Sequence, residues 1–184
     1  MATIHLLSDF KEFLKLLNAH HVEYLLIGGY AVGYHGYPRA TADLDIWIAM
    51  HPANADKVVA ALKEFGFDVP ELSADLFLKQ WQIIRLGVPP ARIELTTTVS
   101  GVDFAECYAT RVVDAVDGVQ VNLIDLDHLR RPRQKSESCD SVFDSDAKTP
   151  VLLTSTDFCR GRHLKANKKA SGRHQDLADL EHLP

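Results

Sequence analysis

Two aspartates separated by a single residue, Asp43 and Asp45, sit in the otherwise apolar stretch Asp43-Leu44-Asp45-Ile46-Trp47-Ile48, and a glycine pair, Gly28-Gly29, precedes them. In an extended strand successive side chains alternate between faces, so Asp43 and Asp45 share one face while Leu44 and Ile46 turn to the other. Two carboxylates held side by side repel each other unless a cation lies between them. Hard oxygen ligands on one face suit Mg²⁺, which keeps several waters and takes substrate phosphates as further ligands. The pair therefore predicts metal-dependent phosphate chemistry.

The glycines supply the complementary half. Val22 to Ile27 is apolar and β-prone, Gly28-Gly29 ends it, and Tyr30 to Tyr34 is compatible with a helix. Glycine lets a phosphate approach the main chain, and the N–H groups at a helix start favour an anion. Together the two halves fit one ligand, a nucleoside triphosphate (NTP) with its metals. Other phosphate-binding glycine patterns do not fit: Gly28-Gly29, Gly33 and Gly36 make no G-x-G-x-x-G, and no G-x-x-x-x-G-K-[ST] occurs.

Gly28-Gly29, a spacer, and Pro38-Arg39-x-Thr41-x-Asp43-x-Asp45 resemble the signature of the DNA polymerase β-like nucleotidyltransferase superfamily. The form is similar to small bacterial nucleotidyltransferases, including those related to abortive-infection toxins of the AbiEii type. Many relatives carry Gly-Ser where this chain has Gly28-Gly29, so one hydroxyl contact to phosphate is missing. The resemblance implies an α+β polymerase β-like fold, a mixed sheet with helices packed on it and C-terminal helices. It also implies a third acidic residue on a neighbouring strand. Glu94, between Ile93 and Leu95, is the choice; its bland alternative is a solvent-facing residue beside Arg92 and Thr96, and Asp103 is the substitute.

Arg39 is a candidate phosphate contact. Thr41 either steadies the loop or serves turn chemistry after Pro38. The block Lys165 to Leu180 resembles the closing helices of the same enzymes, which implies that Lys168 neutralises triphosphate charge and that Asp176 orients it or a neighbouring basic group; the alternative is a solvated helix face with Asp176 and Asp179 at i, i+3. Two Mg²⁺ ions held by Asp43, Asp45 and Glu94, with an NTP as substrate, complete the implied site. His35 reads as a packed or capping imidazole, since two-metal catalysis needs no histidine, and Tyr30 and Tyr34 are candidates for the border of a base pocket.

The elements that must position these residues follow from periodicity. Asp9 can cap a helix with Phe10, Phe13, Leu14, Leu16 and Leu17 on one side. Strands are expected over Val22 to Ile27 and Leu44 to Ile48, and a helix from Pro52 to Gly66 with Val58, Val59, Ala61, Leu62 and Phe65 inward. Trp81 to Leu86 and Arg92 to Thr97 predict two strands around Gly87-Val88-Pro89-Pro90, and Asp117-Gly118 predicts a hairpin between Thr110 to Val116 and Val119 to Ile124. Asp125 caps a C-terminal helical region.

The chain's 184 residues, 46% hydrophobic and 24% charged, predict a single domain over residues 1–184. An insertion is expected at about 130–164, where Ser, Asp, Lys and Arg gather around Pro132 and Pro150, either as a mobile loop or as an added hairpin around Val151 to Leu153. Net charge of −5 gives no global attraction to nucleic acid, although Arg160 to Arg173 is locally basic. No apolar run is long enough to span a membrane and no signal core opens the chain, so a cytoplasmic protein is expected. Cys107, Cys139 and Cys159 show no close pairing; a Cys139–Cys159–His163 zinc site lacks a C-x-x-C element.

The expected reaction is transfer of a nucleoside monophosphate to a hydroxyl of RNA, protein or a small molecule. An antitoxin-type protein partner and a homodimer are the expected associations. The competing reading is a nucleotide-binding or partner-binding protein of the same fold without turnover. An antibiotic-modifying enzyme would share the chemistry, but the chain is short for a separate drug-binding domain.

Overall fold

The computed structural model describes residues 4–37, 40–87, 91–131 and 153–155. The first helix, α1 (Ser8–Ala19), buries Phe10, Phe13, Leu14 and Leu17, the stripe its spacing predicts. Its cap position is Leu7, with no side-chain bond, and Asp9 falls in the first turn instead. There its charge still complements the positive helix end, so the expected acid is shifted by one turn position rather than lost.

A short strand β1 (Tyr24–Leu26) leads into α2 (Gly28–Tyr34), then β2 (Asp43–Ile48), α3 (Pro52–Glu64) and a 3-10 turn at Ala74–Leu78. Strands β3 (Ile83–Leu86) and β4 (Arg92–Thr96), helix α4 (Phe104–Ala109), strands β5 (Val112–Val116) and β6 (Val119–Leu123), helix α5 (Leu126–Arg130) and strand β7 (Leu153–Ser155) follow. The strands form one mixed sheet in the order β5-β6-β1-β2-β4-β3-β7. β2 runs parallel to β4 and antiparallel to β1, and β3 runs antiparallel to both β4 and β7. The chain is thus a mixed α+β protein, as expected.

Alternation along β2 and β4 builds the core. Leu44, Ile46, Ile48, Ile93 and Leu95 are buried and join α1 and α3 residues such as Phe10, Val58 and Leu62 in one apolar cluster. Each such leucine or isoleucine removed from water contributes about 1.5–3 kcal/mol. The opposite face of the same strands is then left to Asp43, Asp45, Arg92 and Glu94.

Several strand boundaries are shorter than the apolar runs. Trp81 adopts a left-handed conformation (φ 61°), and its N–H and that of Gln82 donate to the Thr98 and Thr97 hydroxyls at 3.2 and 3.1 Å. Threonine side chains thus replace the ladder there, and β3 starts only at Ile83. Thr110 ends α4, so β5 begins later than alternation predicts. The Asp117-Gly118 hairpin is present, with both residues at positive φ, as its turn type requires. Asp125 caps α5 as expected. Leu153–Ser155, in the region read as an insertion, adds to the free edge of β3. Among the described residues no helix is long and apolar enough to cross a membrane.

Candidate nucleotide and metal site

Register brings the acidic residues together. On the parallel β2–β4 pair Asp43 lies opposite Arg92 and Asp45 opposite Glu94, and on the antiparallel β3–β4 pair Arg85 lies opposite Glu94. One row therefore crosses three strands as Asp45, Glu94, Arg85, with Asp43 and Arg92 forming a second row beside it. Paired residues on neighbouring strands share a face, so Asp43, Asp45 and Glu94 all stand on the face opposite the core.

Like charges opposite each other in a sheet destabilise it, and two arginines offset that here. Arg85 Nε donates to Glu94 Oε1 at 2.9 Å. Arg92 Nη2 donates to Asp43 Oδ2 at 2.7 Å and lies 3.2 Å from Glu94 Oε1. These groups are partly screened by the protein: Glu94 keeps 18% of its side-chain exposure, Asp43 28% and Arg92 31%.

The glycine turn closes on this face. Ile27 N–H donates to the Asp45 carbonyl at 3.0 Å, extending the β1–β2 ladder to the residue before the helix. Gly28 then takes φ +65°, and α2 starts there rather than after Gly29. A Cβ at Gly28 would overlap the Asp45 carboxylate, lying 2.6 Å from Cγ. At Gly29 a Cβ would meet Thr41 Cβ and Oγ1, each at 2.7 Å. Thr41 Oγ1 also donates to the Asp43 carbonyl at 3.2 Å, so Thr41 links the glycine turn to the first aspartate. Space that a serine at position 29 would use is filled by the Thr41 side chain.

Of the residues singled out in the sequence, Gly28, Gly29, Thr41, Asp43, Asp45 and Glu94 are brought together. Arg39, Lys168 and Asp176 lie outside the described residues, as do Cys139, Cys159 and His163. Asp103 belongs elsewhere: it caps α4, accepting from the Ala105 and Glu106 N–H groups at 2.9 and 3.1 Å. His35 is structural, its Nε2 2.8 Å from the Ile124 carbonyl. Tyr34 turns to Asp114 of β5 at 2.6 Å, a bond that raises the tyrosine pKa and lowers that of the aspartate. Tyr30 packs edge-on against Phe10.

Sequence reasoning missed the arginines. In the sequence Arg92 reads only as a same-face neighbour of Glu94, and nothing local marks Arg85; the signal that finds them is the register of charged residues across β2, β4 and β3. A cavity of about 510 Å³ was also unforeseen. It lies beyond Trp47, past the end of β2 away from Asp43, between Glu23, His51, Phe104 and Tyr108.

Carboxylates on one face are the ligand type that a hard divalent cation takes, and here a guanidinium stands between two of them. Among the described residues, no three acidic, histidine or cysteine side chains converge as a ready-made metal cluster. Asp43 and Glu94 meet instead through Arg92.

No protein-family model matches the chain, and no curated protein sequence matches it. Among solved structures, it is similar to a crystal structure of a "putative nucleotidyltransferase" from Thermotoga maritima, at 14% identity and a TM-score of 0.45, covering 64% of this chain and 75% of that one.

Proposed function

We propose that the chain is a polymerase β-like, metal-dependent nucleotidyltransferase, which moves a nucleoside monophosphate from an NTP to a hydroxyl acceptor. The observation that carries this reading is the register of Asp45 with Glu94, with Asp43 on the same face and the Gly28 turn packed against Asp45. Asp43, Asp45 and Glu94 would hold Mg²⁺. The metal, when bound, supplies charge stabilisation for the triphosphate and lowers the pKa of the acceptor hydroxyl.

This reading assigns each residue a part. In this reading the Gly28-Gly29 main chain offers its N–H groups to phosphate oxygens. Glu94, opposite Asp45 on the neighbouring strand, is proposed to take the acceptor proton. The acceptor oxygen attacks the α-phosphorus, the bond to the bridging oxygen breaks, and pyrophosphate leaves with its electron pair. Arg39 and Lys168 are proposed to balance the charge of the leaving group, with Asp176 orienting it. RNA, protein and small-molecule hydroxyls are the acceptor classes. A toxin–antitoxin or defence role with a protein partner, a homodimeric state and a cytoplasmic location belong to the same proposal.

The test is label transfer from each of four α-³²P NTPs with Mg²⁺ into total RNA and protein, with Asp43→Asn and Asp45→Asn alongside. Labelled product that both variants abolish supports transfer; turnover retained in both overturns it. The ion pairs of Arg92 with Asp43 and Glu94 favour a second reading, a nucleotide-binding protein without turnover. Mg²⁺-dependent NTP binding without pyrophosphate release would select it.

A further inference from the structure

Arg92 is a cation already present on the acidic face. Its Nη2 lies 2.7 Å from Asp43 Oδ2 and 3.2 Å from Glu94 Oε1, so a single nitrogen bridges the first and third carboxylates. The position follows from the backbone. Arg92 sits opposite Asp43 on a parallel strand and two residues before Glu94 on its own strand, which sends its side chain out among them. Arg85 holds the same Glu94 oxygen from the other side at 2.9 Å.

The arrangement leaves Arg92 incompletely satisfied. Its Nε is buried and has no hydrogen-bond partner. A planar guanidinium matches the paired oxygens of a phosphate as well as those of a carboxylate, and phosphate can engage Nε and Nη2 together. A divalent cation and this guanidinium compete for the same two oxygens, Asp43 Oδ2 and Glu94 Oε1. Whatever draws Arg92 away releases Asp43 Oδ2 and takes one of the two arginines off Glu94 Oε1 at once, and Arg85 can remain on Glu94 as a hydrogen-bond donor behind a metal.

We infer that Arg92 is an internal counter-cation, which holds Asp43 and Glu94 in the nucleotide-free protein and passes to the triphosphate on nucleotide binding, freeing both carboxylates for metal. This rests on the nucleotide-site reading above. It makes metal and nucleotide binding mutually dependent, so the site does not load metal tightly on its own.

The test measures two affinities separately in the full chain. Mn²⁺ binding without nucleotide is followed by electron paramagnetic resonance, and binding of fluorescent mant-labelled ATP, GTP, CTP and UTP without metal by anisotropy. Arg92→Gln is expected to bind Mn²⁺ at least tenfold more tightly than the unaltered chain and its preferred nucleotide at least fivefold more weakly. A merely structural arginine would weaken both, since its loss disturbs the site. Tighter Mn²⁺ binding with unchanged nucleotide affinity overturns the transfer to phosphate.

Unchanged or weaker Mn²⁺ binding in Arg92→Gln overturns the counter-cation role. In that case Mn²⁺ binding by the unaltered chain that Asp43→Asn removes leaves the nucleotide-site reading standing. Absence of both Mn²⁺ and nucleotide binding from both proteins overturns the two readings together. A thermal melt establishes that Arg92→Gln is folded. If it is not, Arg92→Met, which also removes the charge while keeping an unbranched side chain, is held to the same opposite shifts at threefold.

Discussion

The carboxylate of Asp45 fills the space that a side chain on Gly28 would need, with Asp45 Cγ 2.6 Å and Cβ 2.8 Å from where that Cβ would stand. The helix start and the acidic strand are thus one unit, joined also by the Ile27 N–H on the Asp45 carbonyl. Gly28→Ala has two costs. The left-handed backbone at φ +65° disfavours alanine by about 1–2 kcal/mol, and Asp45 must move. Urea unfolding should show a loss of at least that size, with Mg²⁺-dependent nucleotide affinity falling more than tenfold in the folded variant. Normal affinity in a folded Gly28→Ala would mean that the contact does not position Asp45 for ligand.

Thr41 and Gly29 form a second matched pair. Gly29 is not at positive φ, so its backbone would accept a side chain; the Thr41 side chain at 2.7 Å excludes one. Gly29→Ser is expected to destabilise by about 1–3 kcal/mol through overpacking, and Thr41→Gly in the same chain should restore the room. A double-mutant cycle on unfolding free energies should give a favourable coupling of about 1 kcal/mol or more. Additive effects would show that the serine finds another place.

The parts of this site that could be read from the sequence are those set by local alternation and turn chemistry. Asp43 and Asp45 on one face, the glycine turn, and the Asp117-Gly118 hairpin each depend on residues within a few positions of one another. Glu94 was reached through a family likeness, and register gives it a place opposite Asp45. Charge pairing across strands was not legible, because Arg92 and Asp43 meet only once β2 and β4 align in parallel. Helix α4 and the 3-10 turn at Ala74–Leu78 escaped for a different reason: they are too short for a 3.6-residue period to stand out.

Asn54 illustrates the same limit. In sequence it is one polar residue in the first turn of α3, yet it is fully buried and bonds three main-chain groups. Its Oδ1 accepts from the Glu23 N–H at 2.8 Å, and its Nδ2 donates to the carbonyls of Ala49 and Glu23 at 2.9 and 3.1 Å. The side chain thereby ties the entry of β1 to the exit of β2. Asn54→Ala would strand these groups away from water, at a cost of about 1–3 kcal/mol for the first and more for the set. A chemical melt should show a loss of at least 2 kcal/mol on that basis, about the upper part of the single-group range. A change under about 0.5 kcal/mol, typical of surface positions, would mean that water replaces the amide.

Acid stability should depend on Asp125, the cap of α5. Burial pushes its pKa up, but the Thr110 hydroxyl, the His128 N–H and the His128 imidazole together outweigh this and hold it at about 2. The Cys107 thiol, pushed up to about 11 by its own burial and by the Asp125 charge, also faces this group. An unfolded aspartate titrates near ~3.9. Because the folded value is the lower one, the contribution is complete above about pH 5 and is lost as pH falls through the folded pKa near 2. Asp125→Asn keeps a capping side chain but cannot titrate. Unfolding free energies of the two proteins should therefore differ by a constant amount above pH 5 and converge between about pH 4 and pH 2. A difference that stays constant through that window would show that the Asp125 charge does not hold α4 to α5.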